Sequence, residues 1–310
     1  MHLSCWKIDF NAARQLCAEG HKDSAALFKK YSQFKFGNTQ EVAFFSETLY
    51  RHLKSELESA DSNFSKVFSE AAKQSAHIYF TAPGIRNVPS ASNLLLNLTG
   101  MKLNRHLARK GIPTAIIRPI TRLASGRANY AEMPKSKRDN RKKTTQSLIP
   151  ESEYSAHPIH VVFFDDLIAS GSTVERARKK SLDAGALSFT SCTLFQSTPD
   201  AAASPQFEHV LNSYDIDGGL DESVVVCLHT HNYVPVQRML RLLLHPSNHE
   251  QLIDFAKQFI PLEILIEICS YALANDYLTI VPQKDKTGLY GPSLMRLIEY
   301  VERKNPTALS

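Results

Sequence analysis

Apolar and polar positions change period several times along this chain, and each change predicts an element. From residue 9 to 73 the spacing is helical. The clearest stretch is TQEVAFFSETLYRHLKSEL, where Val42, Phe45, Leu49 and Leu53 recur every three to four residues. HIYFTAP (77 to 83) then reads as a strand that stops at Pro83-Gly84, and SASNLLLNLTGMKLNRHLARKG as a helix ended by Gly111. PTAIIRPI (113 to 120) predicts a second strand and IHVVFFDD (159 to 166) a third. The helix STVERARKKSLDAGA follows, and then a fourth strand, SFTSCTLFQ (188 to 196). Beyond a Pro/Ala/Asp-rich break at 198 to 205, SVVVCLH (223 to 229) predicts a last strand, and the chain is helical from Val234 on.

Within that helical tail, SNHEQLIDFAKQFI opens with Ser247 and Glu250 at capping-box spacing. PLEILIEICSYALA sets Glu263 and Glu267 on one face and Leu265, Ile268, Cys269 and Ala272 on another, the pattern of an amphipathic helix. Leu240, Leu243, Leu244, Ile253, Phe255 and Ile264 supply a core for a small helical module.

Strands alternating with helices predict an α/β fold with a parallel sheet covered by helices. The expected organisation is a helical lead-in (1–75), an α/β core (76–232) and a helical C-terminal module (233–310). Inside the core, residues 121–158 form a polar, basic stretch with almost no apolar periodicity, a length of loop that usually carries function.

Composition narrows this picture little. At 310 residues, 43% hydrophobic and 22% charged, the chain can bury one sizeable core and an accessory unit. The net charge of +5 is largely local to the 121–158 stretch, which suggests an anion site more than a nucleic-acid coat. Five scattered cysteines without a CxxC pair argue against a disulfide framework or a zinc ribbon. No signal-peptide pattern and no run of about 18 apolar residues appears, so a cytoplasmic protein without membrane contact is expected.

The candidate chemistry is concentrated in HVVFFDDLIASGST, residues 160 to 173. In a parallel sheet, ligands bind outside the carboxyl ends of the strands, which is where this pattern puts Asp165 and Asp166. Ala169, Ser170, Gly171, Ser172 and Thr173 then lead into a helix, and backbone N–H groups with small hydroxyls at a helix start suit an anion. Two adjacent carboxylates can accept from vicinal hydroxyls. Together these features fit a sugar phosphate.

This segment, continuing through VERARKKSLDAGA, resembles the phosphoribosyl pyrophosphate (PRPP) motif of the type I phosphoribosyltransferases: an apolar strand, two acids, two aliphatics, a Ser/Thr/Gly loop and a helix closing on Gly-Ala. KFGNTQEVAFFSETLYRHL and YAEMPKSKRDNR resemble, more weakly, the competence-associated ComF branch. Where that branch carries Arg-Gly-Phe-Asn, this chain has Ser90-Ala91-Ser92-Asn93.

The resemblance implies a type I phosphoribosyltransferase-like core and an enzyme that moves ribose 5-phosphate from PRPP to a nitrogen acceptor, releasing pyrophosphate. It implies Mg²⁺ as cofactor, reached by Asp165 and Asp166 through ribose hydroxyls or water. It also implies a pyrophosphate loop in APGIRN, with Pro83, Gly84 and Arg86, and a closing basic loop in which Arg138 and Lys135 act on the leaving group. PRPP and a small-molecule acceptor are the expected partners, nucleic acid ranks behind them, and a homodimer is left open. The rival reading is a catalytically weak PRPP or nucleotide-binding regulator whose helical module meets a partner.

Other signals carry less. His229 and His231 alternate as strand-face metal ligands would, but no third ligand stands at a suitable spacing, so ordinary polar positions are expected. DIDGG (215 to 219) reads as a turn, and Tyr130 as either a lid residue over a base or a loop anchor.

Overall fold

A computed structural model describes residues 1–10, 16–85, 87–120, 151–204, 206–278 and 289–309. Its centre is a six-stranded sheet in the order β2-β1-β6-β5-β3-β4. The strands are β1 (His2–Phe10), β2 (Leu16–Ala18), β3 (His77–Thr81), β4 (Ile116–Ile117), β5 (Ile159–Ile168) and β6 (Ser188–Ser197). Every pairing is parallel except β1 with β2, which is antiparallel. The chain is therefore α/β with a mostly parallel sheet.

β5 is the central strand and is buried along nearly its whole length, as a strand covered on both faces must be. Side chains alternate across the pleat. Val162 and Phe164 enter the larger core, beneath helices α1 (Ser24–Lys35), α2 (Thr39–Glu58), α3 (Asn63–Gln74) and α4 (Ala91–Arg109). Ile159, Val161 and Phe163 enter a smaller core with Val174 and Ala177 of the Ser172–Asp183 helix. The stripe Val42, Phe45, Leu49 and Leu53 of α2 is buried as its period predicts.

The helical elements carry local start and stop signals. Asp23 caps α1 by accepting from the Ala26 N–H at 2.9 Å, and Asn38 caps α2 by accepting from Gln40 and Glu41 at 3.0 and 3.3 Å. At the entry to α4, Asn93 Oδ1 accepts from the Ser90 N–H at 2.8 Å. The C-terminal helices enclose a third core that includes Leu240, Leu243, Leu244, Ile253 and Phe255, with Ile264 packed at its edge. Leu265, Ile268, Cys269 and Ala272 form the buried face of the Leu262–Ala274 helix. No helix among the described residues is long and apolar enough to cross a membrane.

Four expectations are corrected. The lead-in is not helical from residue 9, because β1 runs to Phe10 and β2 follows before α1 begins at Ser24. β1 is held by parallel pairing with β6, His2 opposite Ser191, a partner that no local pattern can reveal. The second strand shrinks from eight residues to Ile116–Ile117, bracketed by Pro113 and Pro119, which cannot donate to a ladder.

The segment 223–229 is a helix, Glu222–Leu228, capped by Asp221. Its valines favour strands, but Val224, Cys227 and Leu228 fall at i, i+3 and i+4 and pack into the C-terminal core, so burial overrides propensity. This also removes the strand on which His229 and His231 would share a face. Finally, Ser247 lies in a short 3₁₀ turn with its hydroxyl 2.7 Å from His245 Nδ1, and the helix starts at His249 without the expected capping box.

Candidate functional site

β3 ends at Thr81, in register with Phe163, whereas β5 continues beside β6 as far as Ile168 opposite Gln196. Asp165 and Asp166 thus stand just beyond the end of one neighbouring strand and alongside the other. Both are buried, at 8% and 4% exposure. The motif's strand is longer than expected, and its carboxylates are less open than a free diol-binding pair.

Their oxygens are committed to partners from distant segments. Ser92, near the start of α4, donates to Asp165 Oδ1 at 3.0 Å or Asp166 Oδ1 at 2.8 Å, bridging the pair with one hydroxyl. Tyr31 OH donates to Asp166 Oδ2 at 2.6 Å, and Lys35 Nζ forms an ion pair with the same oxygen. Tyr31 and Lys35 are four apart on α1 and so share a face. The Asp166 N–H donates to Asp165 Oδ1 at 2.9 Å.

These contacts split the two acids. Burial raises the pKa of Asp165 well above the usual carboxylate range, and the charge on Asp166 adds to the rise. Burial pushes Asp166 upward as well, but the Lys35 charge and hydrogen bond, with the Tyr31 hydroxyl, outweigh it and hold Asp166 well below that range. Burial, then Asp166, raises the Tyr31 phenol well above 10. The two acids are thus driven apart, Asp165 toward its protonated form and Asp166 toward the carboxylate that Lys35 pairs with.

The loop that follows enters its helix through a left-handed glycine. Gly171 has φ +71°, a left-handed conformation that favours glycine, and the Ser172–Asp183 helix begins immediately after it without a side-chain cap. The helix's own ladder starts with the Glu175 N–H donating to Gly171 O at 2.9 Å. Ala169 is fixed from behind, its carbonyl accepting from Ser197 Oγ at 2.7 Å. Ser170 is exposed, while Gly171, Ser172 and Thr173 are half-buried.

Pro83 and Gly84 follow β3 at the same edge of the sheet, and Asn93 Nδ2 donates to Pro83 O at 3.0 Å. Ser92 and Asn93, adjacent in sequence, therefore clasp the carboxylate pair and this first loop. Thr81 Oγ1 is buried without a hydrogen-bond partner among the described residues, on the side of the sheet that Phe163 and Asp165 share. Arg86, Lys135 and Arg138, with Tyr130 and the rest of the basic run, lie outside the described residues.

Magnesium ligated directly by Asp165 and Asp166 does not fit this donor set. One acid favours its proton, the other already has a cation, and no cluster of three or more metal-ligating side chains occurs among the described residues.

Sequence reading missed Tyr31, Lys35 and Ser92. Ser92 was visible as a departure from the branch pattern, but no signal in the lead-in marked Tyr31 or Lys35 as neighbours of residues more than 130 positions away. Compared with protein-family models, curated proteins and solved structures, the chain matches none.

Proposed function

We propose that this chain is a PRPP-dependent phosphoribosyltransferase that acts on a nucleobase or another small nitrogen heterocycle. The observation that carries the reading is the juxtaposition, at the carboxyl edge of a parallel sheet, of the Asp165–Asp166 pair with the glycine-led helix start at Gly171–Thr173. In this reading the helix start and its hydroxyls receive the 5-phosphate, and the carboxylates receive the ribose hydroxyls once Ser92 and Lys35 exchange contacts with the sugar. A nitrogen of the acceptor attacks ribose C1, the C1–O bond breaks, and pyrophosphate leaves with the bonding electrons. The acceptor's N–H proton passes to solvent. The chain contributes positioning and exclusion of water. Magnesium enters as part of the substrate, on the oxygens of PRPP.

The experiment is pyrophosphate release from Mg²⁺–PRPP with a panel of purine, pyrimidine and pyridine acceptors. Release that depends on one acceptor class supports the reading. PRPP that fails to bind in calorimetry overturns it.

A second reading has its own observation. Asp165 and Asp166 are buried and already satisfied by Ser92, Tyr31 and Lys35, as suits a site that binds PRPP or a nucleotide for regulation without turnover. Tight PRPP binding with no release across the panel would select it.

A further inference from the structure

Lys35 is paired with Asp166, and Phe36, the residue after it, lies against a second cation, Arg238. Arg238 is the second residue of the Gln237–Leu243 helix, half-buried, with its guanidinium carbon 5.7 Å from the centre of the Phe36 ring. Burial weighs most against its charge, and the Asp166 carboxylate acts in the opposite sense. Among the described residues Arg238 makes the ring contact but no hydrogen bond or ion pair.

Its backbone is clamped on two sides. The Gln237 N–H donates to Pro89 O at 3.0 Å, just ahead of α4. On the other side Gly37, with φ +92°, packs so closely that an added Cβ would lie 3.1 Å from Val234 O and 3.2 Å from the Val236 methyls. The turn holding Phe36 and Gly37 directly follows Lys35, and the Pro89 segment leads to Ser92. The two segments that bring Lys35 and Ser92 to the acids are thus the two that fix the start of the Arg238 helix.

A guanidinium lying over an aromatic ring keeps its N–H edge available for two parallel bonds to an oxyanion. Taking that charge partly out of water without an ion pair of its own is costly, and an anion offsets the cost. We infer that Arg238, stacked on Phe36, forms an oxyanion subsite through which the C-terminal helices bind ligand beside Asp165 and Asp166. The group it takes is a phosphoryl or carboxylate oxyanion. The inference rests on the proposed function only in treating the carboxylate pair as a ligand site, and within that reading it makes Arg238 a contact to either the pyrophosphate or an acidic acceptor.

The test is calorimetric titration of the full chain with inorganic pyrophosphate and, separately, with benzoate, a planar carboxylate without phosphorus. Wild type is compared with Arg238→Met, which keeps an unbranched stem against Phe36 without charge, and with Arg238→Lys, which keeps the charge without the fork. At least one probe should bind wild type, weaken about tenfold or more in Arg238→Met and weaken less in Arg238→Lys. Dependence confined to pyrophosphate assigns the subsite to a phosphoryl group, and dependence with benzoate assigns it to an acidic acceptor. The inference is overturned if neither probe binds wild type, or if both bind Arg238→Met as they bind wild type. If Arg238→Met does not fold, wild-type affinity of Arg238→Lys for both probes overturns it. PRPP binding that ignores Arg238 sinks this inference and spares the proposed function. Arg238-dependent oxyanion binding without PRPP binding does the reverse.

Discussion

Lys35 and Asp166, 131 residues apart in sequence, form a buried ion pair at the carboxyl edge of the sheet, with the lysine side chain 15% exposed and the aspartate 5%. Tyr31, one helical turn before Lys35, donates to the same carboxylate oxygen. The end of α1 is thereby fastened to the central strand, and any ligand of the acids must contend with that fastening.

Lys35→Met leaves Asp166 buried without its cation. Breaking one side of a buried pair costs about 3–5 kcal/mol, so urea unfolding should show a loss of that order. Adding Asp166→Asn should restore part of it. A double variant no more stable than Lys35→Met would show that the two side chains do not compensate each other.

Ser92→Ala removes the hydroxyl shared by both acids. The expected loss is about 1–3 kcal/mol, since it leaves buried acceptors short of a donor. In the phosphoribosyltransferase reading the same variant alters PRPP affinity, which calorimetry measures independently of the melt.

The two acids predict opposite pH limbs. Asp165 has a folded pKa above its unfolded value of about 3.9, so its contribution is full below that value and lost as pH rises through the folded pKa. Asp166 has a folded pKa below the same value, so its contribution is full above it and lost as pH falls through the folded pKa. Melting temperatures of wild type and Asp165→Asn, followed from pH 4 to 8, should show wild type losing stability relative to the variant as pH rises. Parallel curves would contradict the assignment.

Gly171→Ala places a methyl where space exists, the nearest atom being Ile168 Cγ2 at 4.0 Å, but at a positive φ. The cost is therefore conformational, about 1–2 kcal/mol. If the helix start receives a phosphate, ribose 5-phosphate affinity should fall as well. An unchanged melt would show that the turn tolerates a side chain.

Thiol reactivity should follow burial. Burial pushes Cys227 and Cys269 up to about 12 and Cys192 higher still, whereas Cys17 is only half-buried and belongs to the short edge strand β2. Titration with a thiol reagent at pH 8 should modify Cys17 fast and those three slowly, with mass mapping to assign the sites.

Much of the architecture was written in local pattern. The α2 stripe, the buried face of Leu262–Ala274, the stop at Gly111 and the strands at 77, 159 and 188 are periodicities or punctuation that any neighbour would respect, because they arise from the chain's own geometry. The same holds for the acids at the end of VVFF and the glycine-led helix start, which lie within nine residues of each other.

What only the tertiary structure decided depends on partners far away in sequence. β1 became a strand because β6 offers it an edge, and SVVVCLH became a helix because the C-terminal core could bury one side of it. The site followed the same rule. The sequence placed two carboxylates side by side, but which of them keeps its proton depends on burial and on Lys35, Tyr31 and Ser92, brought in by separate helices, because a charge's free energy is set by what surrounds it in space.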